Sequence, residues 1–222
     1  MFILIAGGGI VGRNIIKQLT KNHDVVVIDK DRAICEKIAA KLGAVAIQGD
    51  ATNINTLKDA GIERCDYALG VMRYDAENML FSLLAKNFGV KNIFVRMRDP
   101  EYRDAYEIAG ATNIAHSVQM MVTKFVLDIE NPEIRRVASL GGGKAEVSIV
   151  TLPDKADCVG MSISEIAKHP KFPDDVVIAG IFDVAGDAFV VPRGNTVIEH
   201  SQQIFLVGAR ESVRSAYHFL RK

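Results

Sequence analysis

Short apolar runs alternate with longer amphipathic stretches over the first half of the chain. The apolar runs are rich in Val and Ile, which is typical of strands, and they predict strands at residues 2–6, 24–29, 44–48, 66–72, 92–97 and 112–116. The stretches between them predict helices at residues 12–22, 32–43, 53–62, 75–89 and 100–110. This succession predicts an α/β fold, a Rossmann-type doubly wound parallel sheet with helices on both faces.

A further helix is predicted after the last of these strands, at residues 117–130, and ends at Asn131-Pro132. An apolar stripe runs along it at helical spacing, formed by Val118, Val122, Phe125 and Ile129. Because no strand partner is evident for this helix, two alternatives remain open. It packs on its own sheet, or it lies against a partner subunit.

The alternation of strands and helices is interrupted at residues 138–146, "ASLGGGKAE", by three consecutive glycines. This segment predicts a flexible connection or turn between two domains. The following strands are predicted at residues 145–152, 175–183, 187–192, 195–198 and 202–208, with helices at 162–169 and 211–222. Such a mixture predicts a small α+β module. The predicted domains are residues 1–135 and residues 136–222.

Charge and cysteine content narrow the function classes. Lys and Arg together number 27, and Asp and Glu together also number 27, so no global field attracts nucleic acid, which is not expected as a partner. Three scattered cysteines without a C-x-x-C pair fit a reducing cytosol. No segment of about 18 consecutive residues is apolar and uncharged, as a membrane-spanning helix requires. If the protein acts at a membrane, we expect it to do so from the aqueous side.

The clearest chemical signal is "AGGGIVGRN" near the start of the chain, where Gly7, Gly9 and Gly12 satisfy G-x-G-x-x-G. The first glycine allows a tight turn out of the strand, the second lets a pyrophosphate approach the backbone, and the third lets helix and strand pack closely. Ile10 and Val11 belong to the predicted site because the helix that begins here directs its free amides toward phosphate.

A second signal comes from acidic residues at the ends of the next two strands. Asp29 ends the second strand, 20 positions beyond Gly9, where a carboxylate accepts hydrogen bonds from ribose hydroxyls and repels the 2′-phosphate of NADP. Lys30 beside it either touches phosphate or is solvated. After the third strand, Asp50 either caps the next helix or brackets an adenine together with Ala51 and Thr52.

Catalytic patterns are missing around this predicted nucleotide site. The sequence contains no Tyr-x-x-x-Lys, no H-E-x-x-H and no G-x-S-x-G, and its histidines are scattered. We therefore predict neither catalytic residues nor a metal site. A nucleotide that is bound but not used points to a sensor, in which differential affinity for two conformations does work on a partner.

Several motifs together resemble a known family. The glycine motif, "VVVIDKD", "QGDAT", "AGIERCDYALGV", "AENM" and "VRMRDPEY", followed by "VVPRGNTVI", resemble the cytoplasmic regulatory subunits of Trk/Ktr potassium uptake systems, the RCK or KTN family. The resemblance covers nearly the whole chain. It implies binding of NAD(H) or of AMP, ADP or ATP, assembly through dimers into an octameric ring, and attachment to a potassium-translocating membrane subunit at the inner face of the membrane.

The resemblance also carries individual residues. It makes Arg96 either a contact to a ligand phosphate or an exposed or salt-bridged arginine, and it puts Asn78 either at the nucleotide or in support of the loop. Members of the family that respond to ATP often carry an arginine after the second glycine, where this chain has Ile10. Arg73 is a candidate substitute for that arginine. NAD(H), AMP or ADP are therefore favoured over an ATP-specific switch.

The second module resembles the family's C-terminal regulatory domain, which in some members binds cyclic di-AMP. Phe182, Asn195 and Ser201-Gln202 stand where the usual pattern has an arginine, an aspartate and Gly-Asp, so this ligand is not predicted. The resulting hypothesis is a nucleotide-sensing regulatory subunit, not an enzyme, that gates a potassium pore. The alternatives are a small NAD-dependent oxidoreductase and a nucleotide-binding adaptor for another membrane partner.

Overall fold

The computed structural model describes residues 1–130, 132–141, 144–153, 155–184 and 187–221 of the chain. They form two compact units, Met1–Met121 and Val122–Lys222. The sequence predicts a domain boundary within residues 131–144, and positions 131 and 142–143 of that segment lie outside the described residues. The boundary after residue 135 stays a prediction.

The first unit alternates strands and helices from its first residues onward. Its strands are β1 (Phe2–Ala6), β2 (Asp24–Asp29), β3 (Val45–Gln48), β4 (Tyr67–Gly70), β5 (Asn92–Met97) and β6 (Asn113–His116). Its helices are α1 (Ile10–Leu19), α2 (Arg32–Leu42), α3 (Ile54–Asp59), α4 (Asp75–Asn87) and α5 (Arg103–Ile108), with 3-10 turns at Ile62–Arg64 and Pro100–Tyr102. Helix α6 (Ser117–Glu130) begins here and continues into the second unit.

All six strands of this unit are parallel and follow the order β3-β2-β1-β4-β5-β6. Alternate residues of β1 enter two separate cores: Leu4 packs in one with Phe81 of α4, and Ile5 packs in the other with Ile16 of α1. Apolar residues on both strand faces are needed when helices cover both sides of a sheet. The predicted Rossmann-type, doubly wound fold is confirmed.

The described residues of the second unit form the end of α6, a five-stranded antiparallel sheet and two further helices. Its elements are β7 (Ile134–Leu140), β8 (Ala145–Thr151), α7 (Ile163–Ala167), β9 (Val176–Asp183), β10 (Ala188–Val190), β11 (Gln202–Gly208) and α8 (Arg210–Leu220). The strand order is β10-β9-β11-β8-β7. Ile166 of α7 and Val213 of α8 are fully buried in the same core as Leu206 of β11. The predicted α+β module is confirmed.

The predicted connection at residues 138–146 is wrong for most of its described residues. β7 and β8 pair as antiparallel neighbours, with Leu140 opposite Ala145, so both ends of the predicted connection are strand. Arg136 breaks the apolar pattern of β7, and its Nε lies 3.2 Å from Oε2 of Glu146, whose carboxylate is almost fully buried. Arg136 interrupts the apolar alternation by which a strand is recognised in a sequence, and its pairing with Glu146 is not visible there. The sequence therefore does not predict β7.

The strand predicted at residues 195–198 is also wrong. Only a single bridge forms there, between Val197 and Ser162. The preceding residues make a turn in which Thr196 Oγ1 accepts a hydrogen bond from the Arg193 N–H at 2.8 Å, and Thr196 N–H donates back to the Arg193 carbonyl. Local side-chain bonding of this kind competes with strand pairing.

Helix α6 has no buried residue. The stripe residue Phe125 is 56% exposed and Ile129 is 79% exposed, so the alternative in which the stripe packs on its own sheet is not what the structure shows. Among the described residues, no helix combines the length and the apolar character needed to cross a bilayer.

Candidate functional site

A cleft of about 430 Å³ lies where strands β1, β2 and β4 end. β2 and β4 flank β1, so the direction of winding of the sheet changes at this point. Ligands of doubly wound sheets bind at such switch points, beyond the carboxyl ends of the strands. The predicted site residues that line the cleft are Gly7, Gly9, Ile10, Val11, Asp29, Lys30, Ala51, Arg73 and Arg96.

The other predicted residues lie next to the cleft without lining it; they are Gly12, Asp50, Thr52 and Asn78. The structure adds lining residues that the sequence reasoning did not select, namely Ile28, Gly49, Val71, Met72 and Glu77. Val71 and Met72 follow β4 directly, and β4 is the neighbour of β1 at the switch point. The strand order 3-2-1-4-5-6 puts the end of β4 beside the end of β1, and this order is the signal that points to both residues.

The glycine loop is held by close backbone packing. Gly7 has a φ of +105°, which L side chains rarely adopt. A Cβ on Gly12 would collide with the Gly7 carbonyl oxygen, so this position admits only glycine unless the backbone shifts. A Cβ on Gly9 would meet nothing within 4 Å. Gly9 therefore faces open space, as the middle glycine must if a ligand is to approach the backbone.

Helix α1 begins in the cleft wall with an uncapped N-terminus. Gly9 is its N-cap and supplies no side-chain hydrogen bond to the first turn. Ile10 and Val11 are exposed, at 75% and 40%, although both are large apolar residues. The first turn thus offers backbone N–H groups and apolar contact surface, with no acidic residue that would repel an anion.

The carboxylate of Asp29 is fixed by two backbone donors. Oδ2 accepts a hydrogen bond from the Gly8 N–H at 2.6 Å, and Oδ1 accepts one from the Asp31 N–H at 2.8 Å. Each oxygen can accept a further bond, since an ionised carboxylate has about four lone-pair sites. Asp29 therefore joins the glycine loop to the end of β2 and retains acceptors at the cleft.

A single ammonium group connects three elements at one end of the cleft. Lys30 Nζ lies 2.9 Å from Glu77 Oε1 and 3.2 Å from Asp50 Oδ2, and we call this arrangement the Lys30 bridge. Its hydrogen bond to Glu77 raises the pKa of Lys30. Asp50 Oδ1 accepts hydrogen bonds from the Thr52 hydroxyl at 2.7 Å and from the Thr52 N–H at 2.9 Å, and the hydroxyl bond is the main cause that lowers the pKa of Asp50.

Asn78 is a buried clamp behind the cleft wall, at 1% exposure. Its Oδ1 accepts a hydrogen bond from the Met72 N–H at 2.9 Å, and its Nδ2 donates to the carbonyls of Met72 and Arg96, both at 3.2 Å. Of the two roles left open by the sequence, support of the loop is the one that the geometry shows.

Two arginines lie on the opposite side of β1 from Asp29. Arg96 Nε donates to Ser117 Oγ at 3.3 Å, and the Arg73 guanidinium lies 5.5 Å from the centre of the Tyr74 ring. In the part of the chain that the structure describes, neither guanidinium has an ion-pair partner. Both line the cleft, so its β4–β5 side has positive charge available for an anionic group.

The ionisable side chains that line the cleft are carboxylates, a lysine and arginines, at Asp29, Glu77, Lys30, Arg73 and Arg96. The described residues that line the cleft include no His, Tyr or Cys, and the described chain contains no cluster of three potential metal ligands. The cysteines are free, and burial raises the pKa of the Cys65 and Cys158 thiols to about 11, which disfavours the reactive thiolate.

A parallel sheet in 3-2-1-4-5-6 order, with a glycine loop and a strand-end carboxylate at its switch point, defines a protein of the Rossmann-fold class. A model of the TrkA-N domain matches residues 3–117, and a model of the TrkA-C domain matches residues 147–221. The chain therefore belongs to the TrkA family, which confirms the resemblance noted in its motifs.

Curated relatives agree with this assignment. A Trk system potassium uptake protein TrkA homolog of Archaeoglobus fulgidus is 34% identical over 218 residues, which cover 96% of this chain and 48% of the relative. The TrkA homolog of Methanothermobacter thermautotrophicus is 24% identical, with 97% of both chains covered. The chain thus spans about half the length of the first relative and nearly all of the second.

Solved structures show the same fold. The RCK domain of GsuK matches all of this chain with a TM-score of 0.66 at 16% identity, over 48% of the GsuK chain. The GsuK channel bound to NAD matches with a TM-score of 0.67, also at 16% identity, over 39% of that chain. The TrkA-N domain of the Escherichia coli inner membrane protein ybaL covers 56% of this chain and 93% of its own, with a TM-score of 0.53 at 18% identity.

Proposed function

We propose that this chain is a cytoplasmic, nucleotide-sensing regulatory subunit of a Trk/Ktr-type potassium transport system. It binds NAD(H) or an adenine nucleotide (AMP, ADP or ATP) in the cleft and gates a potassium-translocating membrane subunit through a ligand-dependent change of an oligomeric ring. The observation that carries the proposal is the Gly7–Gly12 loop with Asp29 at the switch point, in a chain that matches both TrkA domains.

The charges and openings of the cleft support one orientation of the nucleotide in this proposal. The uncapped start of α1 and the open side of Gly9 receive the phosphates, and Arg73 and Arg96 lie on the side where a second anionic group would lie. Asp29 accepts the ribose hydroxyls, and the adenine lies near Ala51 beside the Lys30 bridge. Similarity to a GsuK channel bound to NAD and to a GsuK bound to ADP supports this class of ligand.

The site is a sensor, not a catalyst, in this proposal. Hydride transfer needs a proton donor or acceptor near the nicotinamide. The described lining offers no His or Tyr for that role, and its lysine, Lys30, is held by Glu77 and Asp50 on the side proposed for the adenine. Binding energy that differs between two conformations suffices for regulation.

Substitution of Asp29 by alanine is expected to weaken binding of NADH about tenfold to a hundredfold, the range for a charge-assisted hydrogen bond. The Gly8 N–H also loses its acceptor, which loosens the loop. Isothermal titration of NADH into the wild-type protein and the variant measures the effect. Asp24→Ala, at the exposed opposite end of β2, is the matched control and should bind like wild type. Equal affinity of Asp29→Ala and wild type would refute the ribose role.

Regulation itself is tested with the membrane partner. The chain is co-purified with a Trk-type potassium subunit and reconstituted in vesicles, and potassium flux is measured with NADH, ATP, ADP and no nucleotide. We expect flux to depend on the nucleotide with wild-type protein and to be insensitive to it with Asp29→Ala. Failure to co-purify, or flux unaffected by every nucleotide, would contradict the proposal.

Two apolar faces support self-association into a dimer and an octameric ring. The first is the exposed stripe of α6 that includes Phe125 and Ile129. The second lies on the neighbouring helices α4 and α5, where Leu83 is 50% exposed and Ile108 is 76% exposed. Lys86 Nζ donates to the Ile108 carbonyl at 3.2 Å, which keeps these two helices together. A ring built from dimers needs two distinct contact faces on each copy.

Phe125→Glu is expected to remove the dimer contact, because it places a charge in an apolar interface. Leu83→Glu is expected to leave dimers that no longer assemble further. Light scattering coupled to size exclusion reports the mass of each variant. Lys124→Glu introduces the same residue beside Phe125 and should assemble like wild type. Unchanged assembly of both apolar-face variants would show that other surfaces join the copies.

A further inference from the structure

The cleft is polarised along the sheet. On one side of β1, Asp29 is the last residue of β2 and Asp50 follows β3. On the other side, Arg73 follows β4 and Arg96 lies near the end of β5. Glu77, from the first turn of α4, reaches across to the acidic side through its contact with Lys30. This distribution of charge suits a ligand that is uncharged at one end and anionic at the other. The uncharged end would lie between the carboxylates and the anionic end near the arginines.

The acidic end remains negative after the Lys30 bridge is counted. Two carboxylates, those of Asp50 and Glu77, share the Lys30 ammonium, and the carboxylate of Asp29 is held by backbone N–H groups, so the formal charge of this end is −2. Thr52 holds Asp50 in place, and Glu77 lines the cleft. Lys30 is thus already engaged by two acceptors, and an incoming anion must compete with both of them.

This arrangement bears on one chemical distinction between dinucleotides. A basic side chain near the end of the second strand accommodates the 2′-phosphate of NADP in Rossmann folds, whereas a carboxylate there accepts the 2′-hydroxyl of NAD. Lys30 has the position and the charge for the first task, but its ammonium points to Glu77 and Asp50. The sequence alone shows an acid followed by a base and does not reveal which of them acts.

We propose that Glu77 is a specificity-determining residue: by holding Lys30 in the bridge, it keeps the cation that follows β2 from pairing with a 2′-phosphate. Glu77 therefore favours dinucleotides whose adenosine ribose is unphosphorylated. This inference rests on the proposed function, since it concerns the same nucleotide site. It adds Glu77, acting through Lys30, to the ribose discrimination expected of Asp29.

The test compares NADH and NADPH dissociation constants for wild type, Glu77→Gln and the double variant Lys30→Met/Glu77→Gln. Glu77→Gln keeps the shape of the side chain and releases Lys30 from one of its two carboxylates. We expect the ratio of NADPH to NADH affinity to rise about tenfold, because the ammonium, then paired with Asp50 alone, gains a charge-assisted bond to the 2′-phosphate in a partly screened setting. The double variant should return the NADPH/NADH ratio to the wild-type value. Glu101→Gln, an exposed carboxylate of the same unit, controls for overall charge.

The outcomes separate the two claims. An unchanged ratio in Glu77→Gln, with NADH bound normally, overturns the selectivity inference and leaves the proposed function standing. A gain that persists in the double variant also overturns it, because Lys30 would not be the group that meets the phosphate. Wild-type protein that binds neither dinucleotide nor any adenine nucleotide overturns the proposed function itself. A merely structural role of Glu77 would weaken both dinucleotides together and would not move the ratio.

Discussion

Replacement of Gly12 by alanine is expected to abolish measurable nucleotide binding and to lower the free energy of unfolding by about 3 kcal/mol, the upper range for inserting a methyl group into a packed site. The added Cβ would collide with the Gly7 carbonyl oxygen; the position of the Cβ is fixed by the backbone of α1, and the oxygen belongs to the backbone of the loop. Neither can rotate away, so α1 must shift relative to β1. Chemical denaturation and NADH titration measure the two effects.

Gly9→Ala is the matched comparison, because it adds the same methyl group three residues earlier in the loop. Gly9 has a φ of −63°, and a Cβ there meets nothing within 4 Å, so stability should change by less than about 0.5 kcal/mol. Binding should nevertheless weaken, since the methyl group occupies the space through which a pyrophosphate reaches the backbone. Full stability of Gly12→Ala would show that the helix accommodates the side chain and would remove the packing argument.

Asn78→Ala is expected to lower the free energy of unfolding by about 3 kcal/mol, because a buried donor and buried acceptors lose their partners at once. Three hydrogen bonds disappear, to the N–H and carbonyl of Met72 and to the carbonyl of Arg96, and within the described chain only the last of these groups keeps another partner, the Tyr106 hydroxyl at 3.3 Å. Urea denaturation followed by circular dichroism measures the change. Asn87→Ala makes the same substitution at the exposed end of α4 and should stay within about 0.5 kcal/mol of wild type. If both variants had equal stability, the clamp would contribute nothing to folding.

The parallel sheet could be predicted from the sequence because its information is local. The central strands β1 and β2 are short apolar runs buried on both faces, and the glycine loop and Asp29 follow from positions within the first βαβ unit. The second unit was harder because pairing between strands, not local pattern, decides it. β7 carries Arg136 in its middle, which is acceptable only because Glu146 on β8 pairs with it.

The remaining details of the candidate site depend on contacts between distant residues. Lys30 and Glu77 are 47 positions apart, and nothing near either residue indicates that they meet. Asn78 resembled a ligand-binding polar residue because it lies in a family motif, whereas its burial assigns it to the loop and to β5. The partners of such side chains depend on how whole helices and strands pack together, and the spacing of residues along the chain does not predict them.

The position of Asn78 has a mechanical consequence. It ties Met72, which forms part of the cleft wall, to the first turn of α4, and the same helix carries Leu83 on its outer surface just over one turn further on. No flexible joint separates the two, since the hydrogen bonds of an intact helix connect them. A ligand that displaces Met72 while these hydrogen bonds stay intact would therefore move α4 as well, and with it Leu83 on the outer face of the helix.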